Sequence, residues 1–178
     1  PKAVRDTLSP RIVNGKVELP ELHLTDGEIR AVGKIHIVAC GSAWHVGMAA
    51  KYILESLAGI PCETDLASEF RYRDPIVREG DICIVISQSG ETADTLAALR
   101  EAKRKGAHTV SIVNVVASTI ARESDDVIYT MAGPEIAVAT TKAFSAQLAV
   151  VYLLGLYFAR AVGRLTEAEE QAKCASLS

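Results

Sequence analysis

The residues best suited to bind a ligand form one short run, residues 87–92, with the sequence Ser-Gln-Ser-Gly-Glu-Thr. Three of the six carry a hydroxyl and one carries a side-chain amide. Apolar residues 82–86 precede the run and a helical pattern begins near Ala93, so the run joins a predicted strand to a predicted helix. The first N–H groups of a helix have no intrahelical partner, and phosphate commonly satisfies them. The pattern predicts a phosphate site; hydroxyls that only cap the helix are the alternative.

This loop contains no Lys or Arg, which limits the strength of the predicted site. Hydrogen bonds to a charged group contribute about 1.5–3 kcal/mol each, and the helix dipole adds about 0.3–1 kcal/mol. After the cost of immobilising the ligand, about four such bonds predict an affinity between millimolar and micromolar. That range suits a metabolite rather than a tightly held cofactor. We expect Glu91 to point away from the phosphate, because its carboxylate would repel it.

A second candidate loop follows the apolar residues 35–39 and reads Cys-Gly-Ser-Ala-Trp over residues 40–44. If the two strands are neighbours, both loops face one crevice at the carboxyl edge of the sheet. We interpret Cys40 as a buried thiol rather than a nucleophile, since no base lies near it in the sequence. The Walker pattern is absent, and residues 40–47 do not fit the dinucleotide pattern G-x-G-x-x-G.

Two further groups of polar residues have weaker functional interpretations. In the loop over residues 133–142, Glu135 and Lys142 could act as acid–base groups or form a salt bridge at the start of a helix. Arg71 and Arg73 alternate with aromatic residues. Because there is no wider basic patch, we expect these arginines to form an interface salt bridge rather than to contact nucleic acid.

The elements that position these loops are an alternation of strands and helices. Continuous apolar runs predict strands that are covered on both faces, whereas alternation over residues 62–66 predicts an edge strand. The segments between the strands are long enough to cross over the sheet, which indicates a doubly wound parallel α/β sheet. The strands covered on both faces are predicted at residues 35–39, 82–86, 109–113 and 127–129.

Residue patterns typical of helices occur before and after these predicted strands. Thr25 and Glu28 have capping-box spacing, and so do Thr166 and Glu169 at the start of the last predicted helix. Residues 143–159 contain no charged side chain but are too few for a membrane span of about 20 residues. We therefore predict a buried core helix there, shared with a subunit interface, and no membrane partner.

Length and composition agree with one globular domain plus an arm. The chain has 178 residues and a formal charge of -3, too balanced for general attraction to nucleic acid or to an acidic membrane surface. Its four cysteines form no C-x-x-C pair, and no secretory leader pattern opens the sequence, so we expect reduced thiols and a cytoplasmic location. We expect the chain to be a piece of a longer protein.

The motifs at residues 37–41, 67–73, 87–96 and 135–144 together resemble the sugar isomerase (SIS) domain family, and within it the first isomerase domain of the glutamine:fructose-6-phosphate aminotransferases. The resemblance implies a three-layer α/β/α sandwich around a five-stranded parallel sheet with flavodoxin-like topology. It also implies a site that binds a sugar phosphate. Many relatives carry Thr-Ser after Cys-Gly, whereas Ala43 has no hydroxyl and can offer only backbone contact. The implied site residues are Ser42, Ala43, Ser87, Gln88, Ser89, Thr92, Val138 and Ala139.

The resemblance further implies a division of labour between domains. We predict an interdomain linker arm over residues 1–24, the SIS domain over residues 25–165 and a truncated connecting helix over residues 166–178. In the family, the nucleophile, base and lysine lie in a glutaminase domain, a second isomerase domain and its tail. We therefore expect no catalytic residue, metal or cofactor in this chain, and a homodimer as the assembly.

Parts of the sequence are also similar to proteins with two other functions. SIS domains also occur in transcription regulators that sense phosphosugars, but no segment resembles the helix-turn-helix module that such a regulator would carry. The loop over residues 87–92 is also similar to the phosphate loop of flavodoxins. That loop normally follows the first strand, and the low aromatic content offers few rings to stack on a flavin.

Overall fold

The computed structural model describes residues 2–136 and 140–177. In chain order the helices and strands are α1 (Lys2–Leu8), a 3-10 turn (Ser9–Arg11), β1 (Ile12–Val13), β2 (Lys16–Val17), α2 (Asp26–Ala31), β3 (Ile35–Ala39), α3 (Ser42–Ala58), β4 (Cys62–Leu66), α4 (Ala67–Phe70), β5 (Ile82–Ser87), α5 (Ala93–Arg104), β6 (His108–Val113), α6 (Thr119–Glu123), β7 (Asp126–Tyr129), α7 (Lys142–Ala161) and α8 (Glu167–Leu177).

Five of the strands form one parallel sheet in the order β4-β3-β5-β6-β7. This is the 2-1-3-4-5 order of flavodoxin-like folds, and it confirms the predicted fold class. The three central strands are buried almost throughout, as their continuous apolar runs predict. Strand β4 lies at one edge, as predicted. Strand β7 lies at the other edge with alternating burial, so the prediction that it is covered on both faces was wrong. The order of the strands reverses between β3 and β5, which makes that point the topological switch of the sheet.

Helices cover both faces of the sheet, because successive side chains of each strand point to opposite faces. Ile35, Ile37, Ile82 and Ile84 pack in one apolar cluster with α3 and α7. Val38, Cys83 and Val85 point the other way and pack with α4, α5 and α6. The result is the three-layer arrangement that the sequence predicts.

The two longest helices contact each other on the first face. Gly155 of α7 lies against α3, where an added Cβ would stand 2.9 Å from Leu57 Cδ1 and 3.0 Å from Ile53 Cγ2. Helix α7 is the one helix of the described residues that is long and apolar enough to cross a membrane by length and composition. Because 67% of its most apolar window is buried inside the structure, it serves as a core helix here.

Residues 2–24 are more ordered than the sequence pattern suggests. They contain a helix and a two-stranded antiparallel hairpin that the sequence analysis did not predict. Leu8, Val17, Leu19 and Leu22 are buried in the same apolar cluster as α3 and α7. Arg11, itself buried, donates from Nη2 to the Tyr129 carbonyl at 2.9 Å, at the free edge of β7. This segment therefore covers one edge of the sheet.

The capping signals are confirmed at both helices. Thr25 accepts from the Glu28 backbone N–H while the Glu28 side chain accepts from Thr25, which completes a capping box on α2. Thr166 and Glu169 make the same reciprocal pair at the start of α8. Two reciprocal bonds satisfy donors that a helix start otherwise leaves unpaired.

The arginines and cysteines take the following places. Arg71 pairs with Asp94 at 2.8 Å and Arg73 with Glu63 at 2.9 Å. Both arginines pair within the chain, because acidic residues of β4 and α5 lie within reach. All four cysteines are free thiols. Burial raises the pKa of Cys62 to about 12, as expected for a structural thiol.

Candidate functional site

The candidate site is a cavity of about 530 Å³ at the switch point between β3 and β5. Ligands bind at this position in open parallel sheets because the loops on either side diverge there. Every predicted site residue within the described part of the chain lies on its wall, and Val138 and Ala139 lie outside the described residues. The lining consists of Cys40, Gly41, Ser42, Ala43, Ile86, Ser87, Gln88, Ser89, Thr92, Thr95, Glu135 and Thr140.

Two helix N-termini begin at this cavity. Helix α3 starts after Gly41, whose φ of +58° is a left-handed conformation that glycine adopts readily. Helix α5 starts after Thr92. Gly41 has no side chain that could cap α3, and among the described residues the Thr92 side chain accepts no bond from the backbone of α5. The first N–H groups of both helices therefore remain available to an anion, and both helix dipoles favour one.

The loop after β5 holds its own shape through hydroxyl groups. The Ser87 Oγ accepts from the Gly90 backbone N–H at 3.0 Å and lies 3.3 Å from the Thr92 Oγ1. The Ser89 Oγ accepts from the Glu91 backbone N–H at 3.2 Å. These contacts place three hydroxyls around one short turn beside the start of α5.

Gly90 is the residue that permits the turn. Its φ is +67°, and a Cβ added there would overlap the Ser118 side chain. Its carbonyl accepts from the Ile120 backbone N–H at 3.0 Å, which ties the loop to the start of α6. Any larger residue at this position would meet both backbone strain and a steric overlap.

Glu91 points away from the cavity lining, in agreement with the sequence analysis. Its Oε1 accepts from the Thr119 backbone N–H at 2.7 Å, at the first residue of α6. That hydrogen bond lowers the pKa of Glu91 below its usual value. The carboxylate therefore complements α6 and leaves the cavity to uncharged donors.

Described residues that precede α7 also contribute to the cavity. Thr140 donates to the Glu135 carboxylate, and Lys142 donates to the Pro134 carbonyl. Glu135 and Thr140 line the cavity, whereas Lys142 does not. The lining thus combines hydroxyl and amide donors with a carboxylate acceptor. Such an arrangement can hold an anion that also carries hydroxyl groups.

Several lining residues were not among the predicted site residues. Cys40 is half-buried rather than buried, because it stands at the end of β3 where the cavity opens. Thr95 lies three residues after Thr92 on α5, a spacing that puts both side chains on the same helix face. That spacing could have identified Thr95 from the sequence. Thr140 belongs to the loop over residues 133–142, and no local sequence pattern identified it as a lining residue.

A larger cleft adjoins this cavity and shares Gln88, Ser89 and Glu135 with it. Met131 and Val115 line this cleft and are partly exposed. Among the described residues, no group of three or more His, Cys, Asp or Glu side chains could hold a metal ion. The donors that converge on one point are therefore those of the cavity between β3 and β5.

Comparisons with known proteins agree with the geometry. The SIS domain family matches residues 28–157. The chain is 55% identical over 170 residues to the glutamine–fructose-6-phosphate aminotransferase (isomerizing) of Clostridium acetobutylicum, covering 95% of this chain and 28% of that protein. It is 54% identical over 164 residues to the enzyme of the same name from Streptomyces coelicolor, covering 92% of this chain and 27% of that protein.

A solved structure gives the same result. The C-terminal domain of glucosamine-fructose-6-phosphate aminotransferase from Francisella tularensis superposes with a TM-score of 0.92 at 39% identity, covering 99% of this chain and 50% of that one. The chain spans less than a third of the length of the curated relatives named above. With most of its length matched by the family and its sheet order in agreement, this chain belongs to the SIS domain family.

Proposed function

We propose that this chain binds a hexose 6-phosphate, fructose 6-phosphate or glucosamine 6-phosphate. In this proposal it is the isomerase part of an enzyme that makes glucosamine 6-phosphate from fructose 6-phosphate and glutamine. The observation that carries the proposal is the convergence of two uncapped helix N-termini and the hydroxyls of Ser87, Ser89 and Thr92 on one cavity. The names of relatives that are 54–55% identical support the choice of substrate.

In this proposal the phosphate group lies against the loop after β5. The Ser87 Oγ lies 3.3 Å from the Thr92 Oγ1, and the Ser89 Oγ accepts from the Glu91 N–H at 3.2 Å. Hydrogen bonds to an anionic oxygen are shorter and stronger than these contacts. The hydroxyls can therefore turn to the ligand at little cost. Backbone N–H groups at the starts of α3 and α5 add donors that do not depend on side-chain type. Ala43 contributes through its backbone alone.

The sugar end of the ligand would face the loop over residues 133–142. Glu135 offers a carboxylate on the cavity wall, and carboxylates accept hydrogen bonds from sugar hydroxyls. We propose Val138 and Ala139 as further residues along the sugar. Together with the phosphate loop, they would give the site a polarity that orients the ligand.

We propose no catalytic residue in this chain. Ammonia release and proton transfer would be supplied by a glutaminase domain and a second isomerase domain, which we propose as its partners within a longer protein. A homodimer in the cytoplasm completes the proposal, in keeping with four free thiols. The sensing regulator is disfavoured, because the relatives named above carry the aminotransferase name.

Calorimetric titration of the chain tests the proposal. Fructose 6-phosphate should bind saturably with a Kd between about 1 μM and 1 mM. Free fructose should not bind in this range, and inorganic phosphate should bind more weakly than the sugar phosphate. Equal heats for fructose and fructose 6-phosphate would contradict the proposal.

A further inference from the structure

The cavity contains a buried hydroxyl whose hydrogen bonding is incomplete. Thr95 lies in the first turn of α5 and is 1% exposed. Its Oγ1 has no hydrogen-bond partner among the residues that the structure describes, and its side chain lines the cavity wall. A buried hydroxyl without a partner costs roughly 1–3 kcal/mol of desolvation, so such groups are rare unless a ligand or an ordered water satisfies them.

The position of Thr95 on the helix favours a ligand over chance. Thr92 is the N-cap of α5, and Thr95 is the third residue of the helix. In a capping box the side chain at this third position turns back over the start of the helix. Thr92 makes no capping bond itself, so the start of α5 is the point at which an anion would sit. Thr95 therefore lies in the first turn of the helix whose start faces the cavity, and its side chain lines that cavity.

The backbone need not move for the hydroxyl to reach a ligand. A threonine in a helix has two accessible χ1 wells, so its Oγ1 can turn without any change in the helix. Ser87 and Thr92 on the same wall are already engaged with each other at 3.3 Å. On this wall, Thr95 thus has the hydroxyl that can still form the most hydrogen bonds.

We propose that the Thr95 hydroxyl is a ligand-binding group, which donates a hydrogen bond to an oxygen of the bound phosphate group at the base of the cavity. This assignment rests on the proposed function and adds a fourth hydroxyl to those of Ser87, Ser89 and Thr92. It also accounts for a polar group kept in a buried position that would otherwise be more stable as a valine.

The Thr95→Val variant has the same shape as the wild type but lacks the hydroxyl. If the group serves the ligand, the ligand-free variant should keep its Tm or gain roughly 2–4 °C. Its Kd for fructose 6-phosphate should rise by about 10- to 100-fold, or its binding should no longer saturate. Thr95→Ser, which keeps the hydroxyl, should bind within a few-fold of the wild type. A merely structural hydroxyl would not produce this opposite response of stability and affinity.

Thr109→Val is the matched control. Thr109 is equally buried, but its Oγ1 donates to the Asp125 Oδ2 at 2.6 Å and accepts from the Asp125 backbone N–H at 3.0 Å. Its loss should lower the Tm and leave the Kd for fructose 6-phosphate unchanged.

The affinity of Thr95→Val and that of the wild type distinguish failure of this assignment from failure of the proposed function. If Thr95→Val binds fructose 6-phosphate within twofold of the wild type, Thr95 is not a ligand-binding group, although the proposed function stands. If its Tm also falls, a buried water rather than a ligand satisfies the hydroxyl. If the wild type binds no sugar phosphate at all, the proposed function fails and the assignment fails with it.

Discussion

The Oγ of Ser87 lies 3.3 Å from the Oγ1 of Thr92, across the turn that joins β5 to α5. Hydrogen bonds between hydroxyls are usually 2.7–2.8 Å long, so this contact is a weak one. Gly90 holds the two residues in place by donating its backbone N–H to Ser87. The pair is thus positioned by the backbone and only loosely engaged, which leaves both hydroxyls ready for a stronger acceptor.

Thr92→Ala should separate binding from stability. Loss of a hydroxyl that donates to a charged oxygen should weaken binding of fructose 6-phosphate by roughly 1.5–3 kcal/mol. The free energy of unfolding should change by less than about 1 kcal/mol, because the Thr92 side chain accepts no capping bond from α5. Calorimetry and urea denaturation measure the two quantities. Thr166→Ala provides the control, since it removes a complete capping pair on α8 and should cost about 1 kcal/mol of stability without changing affinity.

Gly90→Ala should destabilise the fold by roughly 2–5 kcal/mol, because left-handed strain adds to overlap with Ser118. Gly80 offers a matched position. It has a φ of +84°, and an added Cβ would meet no atom of the described residues within 4 Å. Gly80→Ala should therefore cost only the strain, about 1–2 kcal/mol. Urea denaturation of both variants measures the difference, and equal costs would argue against the contact with Ser118.

The structure also predicts that the first 24 residues stabilise the domain. Leu19 is 2% exposed and belongs to the main apolar cluster, so Leu19→Ala should cost about 2–5 kcal/mol. Val13 is 46% exposed, and Val13→Ala should change stability by no more than about 0.5 kcal/mol. A passive connector would show small effects at both positions in thermal or urea unfolding.

Stability should fall as the pH drops through the histidine range. His36 is buried in β3, and burial lowers its pKa below the usual value, although the hydrogen bond with Asp81 opposes this. As the pH falls through about 6.5, the unfolded chain takes up a proton that the folded chain resists, so the unfolded state gains stability. The free energy of unfolding should therefore decrease from pH 7 towards pH 5.

Variants can assign that dependence to one residue. His36→Gln should flatten the profile between pH 7 and pH 5, even if its stability is lower throughout. An unchanged slope in His36→Gln would assign the dependence to other groups.

Local sequence patterns were sufficient to predict much of the fold. The strands β3 and β5 were predictable because both faces are covered, so their apolar residues run without interruption. Strand β4 was predictable as an edge strand because polar residues interrupt its apolar ones. The capping pair at Thr25 was equally predictable from the sequence, because its partner Glu28 lies only three residues away.

Features that depend on distant contacts were not predictable in this way. Helix α1 has only seven residues, too few for a clear apolar period, and distant contacts hold it, such as the Met131 backbone N–H donating to the Thr7 Oγ1 at 2.9 Å. The contact between Gly90 and Ser118 joins residues far apart in the chain. The spacing of Thr95 from Thr92 could suggest its helix face, but only the packed structure reveals that its buried hydroxyl has no partner among the described residues. In each case tertiary packing decides the outcome.

The central claim is that the loop after β5 holds the phosphate of a sugar phosphate through uncharged donors. Backbone amide shifts recorded while fructose 6-phosphate is added test it most directly. We predict saturable shifts at residues 87–92 and at the first residues of α3 and α5, a smaller response to inorganic phosphate and none to fructose. Saturable shifts elsewhere with residues 87–92 unmoved, or an equal response to fructose, would contradict the claim.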